Sequence, residues 1–565
     1  MKFKPVAWVE RGTWRNLLIA IPAGVIAALV TILFRSAITY IDDVIFHDGS
    51  DITQAFAHYS NMMWPLITGI GGVLAGYILY CVGKYEKRHG TMPDYLDVID
   101  QRLPEIPLVS TLLRAGSSLA SIASGGSIGR EGAMVQLSAL GGSLLAKATR
   151  RDLFQHGDVV AMAAAGGLAA VYHAPLAGAL FVAEIAFGMI MVQRLVPLLI
   201  AASAAVLTVR LFSNYQPLYF YASAMFEPST VSLLTVLLVG GAAGLLGPLF
   251  LMVIDFARHA MKPLANPVLR LGLGGLFVGL VAMLSPLVLG NGFEVIELML
   301  DQHPLAISLL LLLVLKILAT AITVGSGAVG GLFTPSLLVG AACGALICGV
   351  VQGLGGEPGP SGLYAAMGMC ALLAATSHAP LMSILMAFEM TQNNSLLFPL
   401  MLATALASVV AAKINYHGTY PVLARHQAKF SAKSQFESST LATLVIPCSK
   451  MYLGARLAQV VEEGLNQRTR YVYMVDKQER FVGVVATNVL AAGIINGSLR
   501  GDQAVDGFIE HQFTTLYQDA SYPQAWAVFS ASPLERLPVL ADKSSRRLLG
   551  VVTKASLLNK AREFL

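Results

Sequence analysis

SGGSIGREGAMVQ, Ser124–Gln136, sets four glycines, two serines and an Arg-Glu pair inside a long apolar region. LLRAGSSLASIA lies just before it and LSALGGSLLAKA just after it; each is helix-forming and carries a single basic residue. An ionisable side chain at such depth is costly in hydrocarbon and by default marks an ion or substrate pathway. Glycines allow irregular backbone, which a membrane accommodates only where it is buried in protein or lines a cavity. Glu131 is therefore the first candidate functional residue, as a group that closes and opens a pathway.

The composition places this stretch in a polytopic membrane protein. The chain has 565 residues, 55% hydrophobic and 13% charged, against roughly 25% charged in soluble domains. Charge concentrates in the first fifteen residues, a few loops and the last 135 or so. The N-terminal apolar run continues to Phe34 without a small-residue cleavage site, so it reads as a first membrane helix and not as a leader. Lys2, Lys4, Arg11 and Arg15 before it put the N-terminus on the cytoplasmic side. The net charge of +5 fits cytoplasmic loops and gives no sign of a nucleic-acid partner. The five cysteines have no metal-ligand spacing and most sit in apolar segments as small hydrophobes, so neither a metal nor a disulfide framework is expected.

Apolar stretches recur from Leu17 to about Val410. Leu17–Leu33 and Met63–Cys81 are long enough to cross a bilayer, and 195–211, 232–254, 271–289 and 307–324 read as ordinary spans. Others are short or broken by Gly and Pro: 117–129, 132–146, 161–172, 176–192, 330–340 and 381–390. Short segments meeting at Gly-rich breaks predict half-helices whose ends meet within the membrane, and more than ten intramembrane helices in all.

An internal repeat runs through this region. SGGSIGREGA (Ser124–Ala133) aligns with SGAVGGLFTP (Ser326–Pro335), pairing Gly129 with Gly331 and Glu131 with Phe333. HAPLAGALFVAEI (His173–Ile185) aligns with HAPLMSILMAFEM (His378–Met390), pairing Glu184 with Glu389. Two matches in the same order at similar spacing argue for a duplicated membrane unit, with its substrate site at the interface of the copies. After Tyr420 a polar linker leads to two similar modules. Each has a helix, a strand, a DK turn, a second strand and a helix: YVYMV and FVGVVA flank DKQER, LPVLA and LLGVV flank DKSSRR. They read as two small α/β units packed as a pair.

Each break leads into a helix, and helix N-termini present free N–H groups and a positive dipole end that attract an anion without a full cation. A cation pathway would need carboxylate rings or carbonyl stacks, for which there are few candidates. The plainer alternative is that small residues only let helices pack closely. Glu131, just after a break, would compete there with an anion until protonated; its structural alternatives are pairing with Arg130 or capping a helix. For Glu184 and Glu389 the structural role is favoured, and His173 and His378 are expected to satisfy nearby backbone.

GSIGREGA, GAVGGLFTP, the twin HAPL segments, GTYPVLA (Gly418–Ala424) and the C-terminal α/β pair together resemble the CLC chloride channel and transporter family, closest to its bacterial ClcB branch. The resemblance covers essentially the whole chain. It implies a multi-pass α-helical membrane protein with inverted repeats and broken half-helices, plus a cytoplasmic α/β pair of CBS domains. The implied divisions are a transmembrane domain over 1–425, with repeats at about 62–215 and 230–425, a linker at 426–442 and tandem CBS domains over 443–565. It further implies a homodimer in the inner membrane with cytoplasmic termini. The implied cargo is chloride, with protons as a second candidate, and the implied role is a transporter and not an enzyme. No cofactor is implied.

Carried over by motif, Glu131 becomes the gating glutamate. The amides of Leu332 and Phe333 with the Tyr420 hydroxyl would hold a central anion, and the amides around Arg130 and Gly132 an outer one. Three departures matter. HGTMP (His89–Pro93) stands where the family has GSGIP, so Gly90 replaces the coordinating Ser and either its amide or Thr91 must substitute. FVAEI puts Ile185 where transporters carry an inner proton-relay glutamate, which favours channel-like or weakly proton-coupled conduction over antiport. GREGA replaces GREGP, a packing change. In the CBS pair the ribose-binding Asp is replaced by Val489 and Ser556, which argues against nucleotide binding, although a nucleotide-sensing regulatory protein remains the reading of another class.

Overall fold

The computed structural model describes residues 11–46, 56, 59–90, 93–101, 103, 105–151, 153–212, 225–301, 306–414, 416, 418–420, 436 and 439–564. The chain forms two units, Met1–Ala424 and Arg425–Leu565. Thr91 and most of the 426–442 linker lie outside the described residues.

The first unit is helical: α1 (Arg11–Phe46), α2 (Trp64–His89), α3 (Tyr95–Gln101), α4 (Leu108–Ala123), α5 (Glu131–Ala148), α6 (Leu153–Tyr172), α7 (Pro175–Phe181), α8 (Val192–Phe212), α9 (Thr230–Met261), α10 (Pro267–Ala282), α11 (Phe293–Asp301), α12 (Ala306–Gly325), α13 (Phe333–Gly353), α14 (Ser361–Ser377), α15 (Pro380–Thr391) and α16 (Leu397–Ile414). Among the described residues, seven helical segments are long and apolar enough to cross a membrane, and five shorter apolar helices accompany them. Leu18, Leu33, Leu66, Ile70, Leu238 and Leu245 are exposed, as expected of faces that meet lipid. Two segment lengths differ from the sequence expectation. The segment 330–340 opens a helix of 21 residues, because Cys343 to Gly353 continue it without a breaker. The span expected over 271–289 ends at Ala282, short of Pro286, which starts a separate turn.

Helix-breaking glycines set the site. The α4–α5 and α12–α13 junctions share most of their hydrogen bonds. Gly125 and Gly327 take φ of 90° and 87°, a region open to glycine. Ser124 Oγ donates to Ser121 O and Ser326 Oγ to Thr323 O, at 3.2 and 2.7 Å. Gly126 N–H returns to Ser121 O and Ala328 N–H to Thr323 O. Small residues allow this: a Cβ on Gly132 would come within 3.1 Å of Gly330 C and Gly331 N.

The second unit holds two sheets of one topology. In the first, β1 (Lys450–Tyr452) runs parallel to β2 (Tyr471–Val475), which pairs antiparallel with β3 (Phe481–Ala486). In the second, β4 (Leu516–Tyr517), β5 (Arg536–Leu540) and β6 (Leu548–Thr553) repeat the order. Helices α17 (Leu457–Asn466), α18 (Thr487–Ile495), α19 (Tyr522–Ala531) and α20 (Lys554–Phe564) flank them. Tyr473, Phe481, Leu540 and Val551 share one buried cluster that joins the modules. This is the paired α/β architecture read from the repeated strand-turn-strand pattern; β1 and β4 are too short to show a period in the sequence.

Candidate functional site

The two breaks meet. Gly129 and Gly331 exchange N–H to carbonyl bonds, both 2.8 Å, as an isolated antiparallel bridge. This brings the first turns of α5 and α13 together, so two positive helix ends converge on one place. Glu131 is the first residue of α5 and is 2% exposed. Its Oε1 accepts a short hydrogen bond from the Thr334 hydroxyl, at the second position of α13. Thr334 is bonded in turn to the Tyr172 hydroxyl at 3.0 Å. Oε2 is buried without a hydrogen-bond partner among the described residues.

An aromatic cluster walls this point. Phe333 lies 5.2 Å from Tyr172 and 6.4 Å from Phe181, and Phe181 meets the Tyr420 ring edge-on at 5.7 Å. A cavity of about 420 Å³ opens onto the site, lined among others by Asp94, Arg114, Glu131, Gly132, Leu332, Phe333 and Tyr420. Of the residues carried over by motif, Glu131, Gly132, Leu332, Phe333 and Tyr420 thus share one cavity.

Gly90 and the Arg130 side chain are not part of its lining. Gly90 is exposed at the end of α2 with φ of 91°, and its amide donates to Glu86 O at 2.8 Å, so that amide is already engaged. Arg130 turns its guanidinium onto the Phe293 ring, 4.9 Å from the centroid. It makes no ion pair with Glu131 among the described residues, so the structural alternative of an Arg130–Glu131 pair is not realised.

Glu184 and Glu389 cap each other's repeat. Glu184 accepts the amides of Leu381 and Met382 at 3.2 and 2.7 Å, at the start of α15. Glu389 accepts those of Leu176 and Ala177 at 3.0 and 2.9 Å, at the start of α7. These are carboxylates at helix N-termini, a structural role. Ile185 follows Glu184 in a π-helical turn, Val182–Ala186, and is fully buried. His378 Nε2 lies 3.3 Å from Tyr416 O, a backbone partner.

Sequence reasoning missed Thr334 and Tyr172, the polar neighbours of Glu131, and a pair of cations. Running the alignment of the breaks backwards matches Ser121 with Thr323, Ser118 with Thr320 and Arg114 with Lys316. That polar stripe, at helical spacing in both α4 and α12, was the available signal. Arg114 pairs with Glu86 at 2.7 Å. Lys316 is fully buried and donates to Val288 O and Gly290 O, both at 3.0 Å.

Duplicated units with broken helices whose N-termini converge on one buried site define a membrane ion-transport protein of the inverted-repeat kind. Residues 71–412 match the family model described as voltage gated chloride channel. A ClcB-like chloride channel protein of Ralstonia nicotianae is 43% identical over 397 residues, covering 69% of this chain and 91% of its own. The voltage-gated ClC-type chloride channel ClcB of Citrobacter koseri is 36% identical over 413 residues, covering 72% and 98%. The chain belongs to the CLC chloride channel family. Among solved structures, a slow cyanobacterial Cl⁻/H⁺ antiporter superposes with a TM-score of 0.62 at 24% identity over 73% of this chain and 98% of its own. A eukaryotic CLC transporter superposes with 0.60 at 17% identity over 96% and 98%. These two establish the fold.

Proposed function

We propose that this protein carries chloride across the cytoplasmic membrane through a pathway gated by Glu131, with channel-like or weakly proton-coupled conduction. The observation that carries the reading is the position of Glu131: its carboxylate stands at the meeting point of the paired breaks, held by the first turn of the opposite repeat. An ionised carboxylate there competes with an anion for the same helix-end donors. A proton neutralises it, the side chain loses its hold, and chloride takes its place.

The amides of Leu332 and Phe333 and the Tyr420 hydroxyl would bind the central ion, and the amides from Arg130 to Gly132 an outer one. With the Gly90 amide bonded to Glu86, the Thr91 hydroxyl is the remaining donor from the first motif. Ile185 leaves an aliphatic side chain where transporters carry a relay carboxylate, which supports gating over coupling. The working assembly is a homodimer in the inner membrane with cytoplasmic termini. Its CBS pair acts as a scaffold for dimerisation or gating and not as a nucleotide sensor.

The test is chloride flux from liposomes with simultaneous pH recording, for the native protein and Glu131→Gln. Chloride flux without stoichiometric proton movement is expected, and the substitution should remove its pH dependence. Protons driven uphill in fixed proportion by a chloride gradient would establish antiport instead. Unchanged flux and pH dependence in Glu131→Gln would sink the gate.

A further inference from the structure

Lys316 is an ionisable side chain that the gate mechanism does not use. It is 0% exposed within a helix of the membrane unit, and among the described residues its Nζ donates to two carbonyl oxygens. No carboxylate pairs with it among the described residues. A buried ammonium without a counter-charge is strongly unfavourable in a protein interior, and more so in a membrane. Backbone carbonyls satisfy its N–H donors but do not neutralise the charge.

The repeat makes the contrast internal. Arg114, the matched residue of the first copy, lines the cavity, has a side chain 45% exposed and binds Glu86. Lys316 has no such partner, yet its surroundings lead to the gate. Gly290, whose carbonyl it holds, donates its own amide to Gly125 O in the first break at 3.2 Å. Phe293, on the same segment, supports Arg130 and lies 5.9 Å from Tyr172. Further along α12, Thr320 pairs with the Ser127 hydroxyl at 3.0 Å and Thr323 accepts the Ser127 amide at 3.2 Å. Lys316 thus ends a polar stripe whose other members hold the first break from behind.

We propose that the counter-ion of Lys316 is the permeating anion itself. The ammonium is a fixed positive charge that raises anion occupancy beside Glu131 without touching the ion; it is a positioning residue acting through the field. The inference rests on the anion-pathway reading above. As a general scale, a unit charge about 10 Å from an ion at an effective dielectric constant of about 20 changes its binding on the order of tenfold.

The test measures chloride affinity of the full-length protein by titration calorimetry for native, Lys316→Arg, Lys316→Gln and Lys316→Met. Arginine should bind as the native protein does, and Gln and Met about tenfold more weakly. Glutamine keeps N–H donors for the two carbonyls, so a merely structural anchor would leave its affinity near native, and that result overturns the proposal. A measurement on the native protein avoids any loss of folding. The ¹⁵Nζ signal of Lys316, identified by its absence in Lys316→Arg, should shift as chloride replaces gluconate, with the midpoint seen by calorimetry; a signal that does not move overturns the proposal too. Native protein that neither binds nor carries chloride would instead refute the anion pathway.

Discussion

The two Gly-rich breaks share most of their hydrogen bonds, their positive-φ glycines and their mutual bridge, and differ in the residue that opens the following helix. The first break puts Glu131 there and the second Phe333. Backbone donors are therefore duplicated, while the carboxylate is present in one copy only. The second copy contributes an aromatic wall and the Thr334 hydroxyl that holds the first copy's carboxylate. Under the proposed function, duplication supplies a symmetric cradle for an anion, and one unlike residue makes it switchable.

That contrast is most severely tested by Glu131→Gln. Charge-assisted hydrogen bonds are worth about 1.5–3 kcal/mol, so freeing the site from a competing carboxylate should raise flux near neutral pH on the order of ten- to hundredfold. Flux assayed across pH should also become flat. Next come the bridge glycines. A Cβ on Gly129 would collide with Glu131 Oε2 and lie 2.9 Å from Gly331 O, whereas on Gly331 it would meet Glu131 Oε2 at 3.1 Å and Gly132 N at 3.2 Å. Gly129→Ala should therefore cost more stability than Gly331→Ala, within the roughly 1–3 kcal/mol typical of overpacking, and lose more flux. The reverse order in thermal melting would show that the copies are less alike than their bonds suggest.

A smaller and equal effect is expected at the reciprocal caps. Glu184→Gln and Glu389→Gln each remove the charge from two amide contacts, and each should lower stability by about 1 kcal/mol. A clear inequality in melting temperature would mean that one carboxylate has a second task.

The least effect is expected in the C-terminal unit, where the DK turns of both modules place an Asp that accepts from following backbone amides. Asp542 accepts from the Ser544 and Ser545 hydroxyls and amides, which hold its carboxyl well below the usual carboxylate range. Its folded-state value is depressed, so its contribution is present above the unfolded value of about 4 and fades as pH falls further. Asp542→Asn should melt slightly below the native protein at pH 7, and the gap should narrow progressively below about pH 4. Asp476 makes the matching turn with Arg480, so Asp476→Asn should behave alike.

Much of this was legible in the chain because membrane physics forces it into the open. Glycines at Gly125 and Gly327, a Glu in an apolar field and the twin HAPL segments are all exceptions to what hydrocarbon tolerates, so they announce themselves. Glu184 and Glu389 were readable as structural, but not which helices they cap, since that depends on the crossing of the two repeats. Thr334 and Tyr172 were not readable as neighbours of Glu131, because a Thr or a Tyr in a membrane segment carries no mark of its tertiary partner. Lys316 lay in an otherwise unbroken apolar helix and read as part of an ordinary span. Only extending the break alignment back to Arg114 sets it apart. What the sequence did not disclose at Gly90 is local: the glycine stands just past a helix end at positive φ, and its amide goes to the preceding turn.

The Gly129–Gly331 bridge also has a consequence for how the molecule comes to be. The bonds that define the site join partners about two hundred residues apart, as do those of Glu131 with Thr334 and Glu184 with Met382. Contacts of such sequence separation form late and slowly. While the chain is being synthesised, the first repeat waits with its Gly-rich ends unpaired and Glu131 unmatched until the second repeat emerges. The paired breaks are therefore expected to be among the last features to mature, and a nascent chain stopped before Gly331 has no partner for its first break.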